Sequence, residues 1–106
     1  MKIKIGVRNY DFKWQDEIIE FGGELYGKHN SRDLTITLAS KFPQVQRNET
    51  FLHELIHAIC FMNDLREIEE NEHWIQLLAT GLLMVIKDNP NLFTMAELQP
   101  EVEEAE

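Results

Sequence analysis

Residues 50–60, TFLHELIHAIC, constrain the fold most, because they combine a helical apolar pattern with three ionisable side chains. The apolar residues recur at three- and four-residue spacing, which predicts an amphipathic helix. His53 and His57 are four residues apart and therefore share one face of that helix, with Glu54 beside them. Burial of such groups without a partner is costly, so either a metal ion compensates for them or this face is solvated.

The order of these three residues is the H-E-x-x-H motif. Two histidines at this spacing can both reach one zinc ion at roughly 2.0–2.1 Å. Glu54 lies about 100° further around the helix, where it can take a proton from a zinc-bound water without being a ligand itself. The motif predicts His53 and His57 as zinc ligands and Glu54 as the catalytic base. The alternative is a pair of surface histidines on a helix whose other face is core.

Two histidines leave a catalytic zinc one protein ligand short of the usual three plus water. One known arrangement places a third ligand six residues after the second histidine, following a glycine turn. This chain has Cys60 at the glycine position and Asn63 at the ligand position, so that arrangement is disfavoured.

A carboxylate from the next predicted helix is the other solution. Residues placed at intervals of about 100° put Glu72 within the apolar stripe of that helix, where a carboxylate needs a partner. We therefore predict Glu72 as the third ligand. Glu69, at the margin of the stripe, and His73, nearly a right angle from it, are the alternatives. The stripe consists of Leu65, Ile68, Ile75, Ala79, Leu82, Leu83 and Ile86.

Segments of the first forty residues show the two-residue alternation that is typical of β-strands. They are KIKIGV, near the N-terminus, and ELYG and DLTITLA, which the turn-rich KHNSR joins as a hairpin. Leu34, Ile36 and Leu38 would share one face of the last strand. Residues 16–21, DEIIEF, are expected to form a short helix that leads to the break at Gly22.

Two helices are expected in the second half of the chain. The first covers about residues 49–62, with Asn48 or Thr50 as its N-cap, and the second covers about residues 65–87, before Pro90. A short apolar piece, NLFTMAEL, is expected to fold back over the core. Strands followed by helices predict an α+β domain, in which a small antiparallel sheet packs on the motif-bearing helix and a second long helix.

Composition restricts the partners. The net charge of −9 and the scattered basic residues argue against nucleic-acid binding. No apolar run approaches the roughly 20 residues that span a bilayer, so no membrane association is expected. The N-terminus has no signal-peptide core, and the one cysteine, Cys60, cannot form an internal disulfide, which favours a cytoplasmic location. We expect a single domain over residues 1–96 and an acidic, disordered tail over residues 97–106.

The motif helix followed by LATGLLMVIKDNP resembles small metallopeptidase-like proteins that phages and mobile elements encode. These are minimal zincins related to the ImmA/IrrE type of gluzincin-like peptidase. The resemblance implies a zincin-like fold, a bound Zn²⁺ and zinc-dependent cleavage of a peptide bond, often in one regulatory protein of the host cell. It also maps that family's glutamate ligand onto Glu72.

A peptidase of this kind would have a peptide or protein substrate, and the strand LTITLA is the expected rail that pairs with it. Tyr26, His29 and His73 are candidates for a group that stabilises the oxyanion, although His29, in a turn, is expected to be an ordinary surface histidine. The short chain lacks a second lobe, which predicts a narrow specificity. The alternative function is a non-catalytic interaction or structural protein, an adaptor or inhibitor built on a zincin fold.

Overall fold

The structure is a computed structural model that describes residues 1–91. In this range six strands precede three helices, which confirms the predicted α+β class. The apolar piece beyond Asn91 and the predicted acidic tail at residues 97–106 lie outside the described residues. The strands are β1 (Lys2–Ile5), β2 (Arg8–Gln15), β3 (Ile18–Glu20), β4 (Gly23–Leu25), β5 (Gly27–Asn30) and β6 (Thr35–Ala39). The helices are α1 (Gln44–Met62), α2 (Arg66–Glu69) and α3 (Glu72–Asp88).

The main sheet has the strand order β1-β2-β6-β5 and is mixed, which corrects the expectation of an antiparallel sheet. The β1–β2 and β5–β6 pairs are antiparallel, as local hairpins must be. The central β2–β6 pair is parallel, from Asp11 opposite Thr35 to Gln15 opposite Ala39. Alternation in a sequence predicts each strand, but the direction of this distant pair depends on the path of the chain between them.

The segment expected to be a short helix, residues 16–21, instead contributes β3, which pairs with β4 in a separate two-stranded sheet. Its side chains alternate in exposure, with Ile18 1% exposed and Ile19 61% exposed. The hairpin closes at Phe21 and Gly22, whose φ angles are +54° and +77°. Positive φ at both central residues is the requirement of a type I′ turn, and it prevents the segment from continuing as a helix.

Helix α1 lies across the main sheet and buries a core between the two. Ile36 and Leu38 of β6 point into this core as predicted, while Leu34 precedes the strand with a φ of +55°. The core residues buried in this cluster are Ile5, Tyr10, Ile36, Leu38 and Ala58. The predicted hairpin is confirmed only in its second strand, because β6 pairs with β5, which includes residues 28–30 of the predicted turn KHNSR. Residues 24–25 of ELYG instead belong to β4, which pairs with β3. The Asn30 side chain accepts hydrogen bonds from two backbone amides in the turn between β5 and β6.

The helix boundaries differ from the predicted ones in two places. Helix α1 begins at Gln44, directly after Pro43, so neither Asn48 nor Thr50 is its N-cap. The second predicted helix is divided into α2 and α3 at Glu70 and Asn71. The Asn71 side chain accepts a hydrogen bond from the backbone N–H of Trp74 at 3.1 Å and so caps α3. Because of this break, Glu72 is the first residue of α3.

Helix α3 packs on α1 with one face and leaves the opposite face exposed among the described residues. Ile75 and Ala79 are its buried residues, whereas Trp74, about 160° around the helix from Glu72, is 50% exposed. Over residues 1–91, no helix combines the length and the apolar character that a transmembrane span requires.

Candidate metal centre

Helices α1 and α3 bring together the three side chains predicted as metal ligands. One ligand atom from each of His53, His57 and Glu72 lies within 4.8 Å of the others, which makes the group able to hold a metal ion. The two histidine side chains are largely buried, while the Glu72 side chain is 67% exposed. The cluster therefore has two rigid members on α1 and one adaptable member at the N-terminus of α3.

The Glu72 carboxylate spans the two imidazole rings. Its Oε1 atom lies 2.6 Å from His57 Nε2, and its Oε2 atom lies 3.1 Å from His53 Nε2. Ligand atoms on a tetrahedral zinc ion with bonds of 2.0–2.1 Å are separated by about 3.3 Å. A small movement of the exposed Glu72 side chain would therefore convert the observed contacts into a three-ligand site.

The other nitrogen of each ring also faces an oxygen acceptor. His53 Nδ1 lies 2.9 Å from Gln76 Oε1, and His57 Nδ1 lies 3.6 Å from Glu69 Oε2. A neutral imidazole has only one N–H and cannot satisfy acceptors at both nitrogens. A metal ion at Nε2, with the proton on Nδ1, satisfies both positions, and this arrangement is general among metal-bound histidines. The donor set therefore fits a metal ion.

The other residues considered for the third metal ligand lie elsewhere. Glu69 belongs to α2 and approaches His57 from the side of Nδ1, not from the side of Glu72. His73 is exposed and lies outside the group of three. Cys60 is a buried free thiol, and Asn63 ends α1 by donating a hydrogen bond to the Ile59 carbonyl. The geometry thus favours Glu72 over the residues that sequence reasoning kept open.

Glu54 is buried directly beside this cluster, with 9% of its surface exposed. Its pKa is raised to about 7, mainly by burial; His53 acts to lower the pKa, and the Glu72 carboxylate contributes to raising it. A carboxyl group with a pKa near neutrality can both accept and release a proton at physiological pH. The predicted catalytic base therefore has an environment suited to proton transfer.

A cleft of about 460 Å³ opens beside His53, Glu54 and Glu72, whereas His57 does not line it. Residues 24–27 form one wall, α1 from Gln46 to Glu54 lines it along the helix, and Glu72 and Gln76 of α3 complete it. The cleft is partly open to solvent, and the exposed Glu72 side chain lies on its wall.

The strand residues that line this cleft belong to β4 and to the start of β5, and none belongs to β6. Strand β6 lies between β2 and β5 and is paired on both sides, so it cannot serve as the predicted substrate rail. Strand β5 is at the edge of the sheet in the described chain, and Gly27 at its start lines the cleft. A Cβ atom at Gly27 would lie 2.7 Å from Thr50 Cγ2 and 2.8 Å from Leu38 Cδ2. Glycine therefore permits the close approach of β5 to α1.

Of the three candidates for an oxyanion-stabilising group, Tyr26 is the one that lines the cleft. Its ring is half-exposed and packs against Phe42, with 4.4 Å between centroids. His29 is partly buried on β5 and hydrogen-bonds to the Tyr10 hydroxyl at 2.9 Å, so the expectation of an ordinary surface histidine is wrong. Burial, with a smaller contribution from nearby His57, lowers the pKa of His29 to about 4, which keeps the ring neutral.

Sequence reasoning missed Gln76, which contacts His53, and Glu49, which contacts Gln76; both line the cleft. Gln76 accepts the hydrogen bond from His53, and its amide nitrogen donates to the Glu49 carboxylate. Both positions could have been found by helical spacing, since Gln76 follows Glu72 by four residues and Glu49 precedes His53 by four.

No protein-family model, curated protein or solved structure matches the chain.

Proposed function

We propose that this protein is a zinc-dependent metallopeptidase of minimal zincin type, related to the ImmA/IrrE peptidases. The observation that carries the proposal is the convergence of His53, His57 and Glu72 beside a buried Glu54 at an open cleft. Three protein ligands and an open side are the arrangement of catalytic zinc, whereas structural zinc is enclosed by four.

His53, His57 and Glu72 would hold the zinc ion, which supplies Lewis acidity and lowers the pKa of bound water towards 7. Glu54 then takes a proton from the attacking water and delivers it to the leaving amine of the cleaved peptide bond. Tyr26, at the cleft wall, can donate its hydroxyl proton to the carbonyl oxygen as negative charge develops there. Each of these side chains comes from an element whose position the fold sets.

The substrate is a protein or peptide segment in extended conformation. The outer edge of β5 offers backbone groups beside the cleft, and pairing of a peptide with such an edge positions it by main-chain hydrogen bonds. The described chain has no second lobe that could close over the substrate. We therefore expect a narrow specificity, for one protein in the cytoplasm of the host cell and not for proteins in general.

The first test is metal content per chain. Wild-type protein is expected to bind about one zinc, and Glu72→Ala is expected to weaken binding at least tenfold because one of three ligands is lost. Glu70→Ala is the matched control, since this neighbouring carboxylate ends α2 and does not belong to the metal cluster. Absence of zinc in the wild type, even after zinc is supplied, would contradict the proposal.

The second test concerns the reaction. Glu54→Gln keeps the size of the side chain and the zinc ligands, so it should retain zinc while cleavage of the substrate falls by 10²-fold or more. Cleavage products can be identified by mass spectrometry after incubation with proteins of the parent system. Undiminished cleavage by the zinc-loaded variant would refute the role of Glu54.

A non-catalytic interaction protein is the second candidate function. The observation that favours it is the outer face of α3, where Trp74, Leu77, Leu78 and Met84 are each half-exposed or more among the described residues. An apolar face of this kind is typical of a binding surface. Glu54→Gln distinguishes the two functions, because a stably folded variant would keep an interaction role but would lose peptidase activity.

A further inference from the structure

We infer that Glu49 and Gln76 act as a positioning relay that holds the His53 imidazole in its metal-binding tautomer and orientation. This inference rests on the proposed zinc site and concerns two residues that are not ligands. The relay runs from the Glu49 carboxylate to the Gln76 amide and from there to the His53 ring.

The first step of the relay fixes the direction of the Gln76 amide. An amide has an acceptor on one side and donors on the other, and an ionised carboxylate only accepts hydrogen bonds. The Gln76 Nε2 atom donates to Glu49 Oε1 and lies 3.2 Å from the Thr80 hydroxyl, which can accept a second hydrogen bond. The Nε2 side of the amide must therefore face Glu49, and Oε1 must face His53.

The second step fixes the proton on the ring. Gln76 Oε1 can only accept, and it lies 2.9 Å from His53 Nδ1, so Nδ1 must carry the hydrogen. His53 Nε2 faces Glu72 Oε2 at 3.1 Å, and with a metal ion bound between them Nε2 would contribute its lone pair to the metal. A single carboxylate on α1 thus determines which nitrogen of His53 is available to a metal.

The two histidines differ in how strongly their ring orientation is determined. His57 Nδ1 is 3.6 Å from Glu69 Oε2, which is longer than a hydrogen bond, so its orientation is less strongly determined. The relay therefore makes His53 the better-ordered ligand. It also links α1 to α3 twice, once through His53 and once through Glu49.

The test compares Gln76→Met with Gln46→Met. Gln46 is a matched control, because it lines the same cleft and donates its amide to Thr50 at 3.1 Å without a contact to His53. Zinc affinity is measured by competition with a chromophoric chelator. Loss of a partner behind a metal-bound histidine weakens metal binding by about 10–100-fold, and we expect this for Gln76→Met alone.

A second measurement reports on the Nδ1 proton of His53 and does not depend on the stability of the protein. In zinc-loaded protein with ¹⁵N-labelled histidine, the Nδ1–H signal of His53 should exchange slowly with water, because Gln76 accepts it. In Gln76→Met this signal should broaden or vanish while the zinc-bound Nε2 signals remain. Glu49→Gln should give a smaller loss of affinity, since an amide can accept or donate and no longer forces one direction on Gln76.

The outcomes separate this inference from the proposed function. Equal zinc affinity and an unchanged His53 ring proton in Gln76→Met would overturn the relay while the zinc site stands. Absence of zinc binding in wild type would overturn both. Zinc binding without any peptide cleavage would count against the peptidase alone, and the affinity comparison would still support or overturn the relay.

Discussion

At the scale of single residues, the burial of Glu54 is the most informative feature, because a carboxyl group seldom lies inside a protein without a partner or a function. Its pKa is raised to about 7 by burial, with a further contribution from Glu72. The ionised form is therefore disfavoured in the folded, metal-free protein relative to the unfolded chain.

This shift predicts how the stability of metal-free protein depends on pH. A group whose pKa is raised on folding stabilises the protein fully at pH values below its pKa in the unfolded chain. This stabilisation is lost as the pH rises through its pKa in the folded protein. The free energy of unfolding should thus fall for wild type relative to Glu54→Gln between about pH 4.5 and pH 7. The expected difference is on the order of 3 kcal/mol, and it should level off above pH 7.

Urea unfolding in the presence of a chelator, from pH 4.5 to pH 8, measures this difference. Comparison of the two proteins at each pH cancels the titration of all other groups. A constant difference across this range would show that Glu54 titrates as an exposed carboxyl group does.

At the scale of elements, the approach of β5 to α1 determines the shape of the cleft. Gly27 lies between Thr50 of α1 and Leu38 of β6, with space for a hydrogen but not for a methyl group. Strand β5, with which we propose that substrates pair, is thereby held next to α1.

Gly27→Ala should destabilise the fold by about 1–3 kcal/mol, because the added Cβ meets packed atoms on three sides. It should also reduce cleavage, since β5 must move away from α1. Gly81→Ala is the matched control, as no atom lies within 4 Å of a Cβ built at this position in α3. That control should stabilise the protein by about 0.5–1 kcal/mol.

Thermal and urea unfolding of the two variants provides the comparison. If Gly27→Ala were as stable as Gly81→Ala and retained activity, close contact between β5 and α1 would not be required for the site.

At the scale of the whole molecule, α3 is attached to the rest of the described chain mainly through α1. The polar contacts across this interface include those of Glu72 with both histidines and those of Gln76 with His53 and Glu49. A metal ion shared by His53, His57 and Glu72 would therefore connect α1 to α3 at the mouth of the cleft.

Zinc should consequently stabilise the protein, by about 2.7 kcal/mol when free zinc is a hundred times its dissociation constant. Thermal unfolding with zinc and with a chelator measures this effect. Hydrogen exchange should show that removal of zinc lowers the protection of α3 more than that of the main sheet. His57→Ala should show a much smaller zinc-dependent shift, and a shift equal to that of the wild type would place the metal elsewhere.

Local periodicity was sufficient to predict much of this protein. The alternation of β1 and β6, the helical pattern around His53 and His57, and the position of Glu72 on the helix face that turns towards α1 are all properties of neighbouring residues. The angular argument for Glu72 held even though the predicted second helix is divided, because five of the seven stripe residues lie in α3 together with it. Sequence by itself therefore determined the α+β class and the three residues that converge.

The tertiary structure decided the features that depend on distant contacts. Parallel pairing of β2 with β6 puts β5, and not β6, at the edge beside the cleft. The positive φ angles at Phe21 and Gly22 turn an apparent helix into a hairpin. Gln76 reaches His53 only because α1 and α3 pack together. Residue spacing describes one element at a time, whereas these features arise from the packing of one element against another.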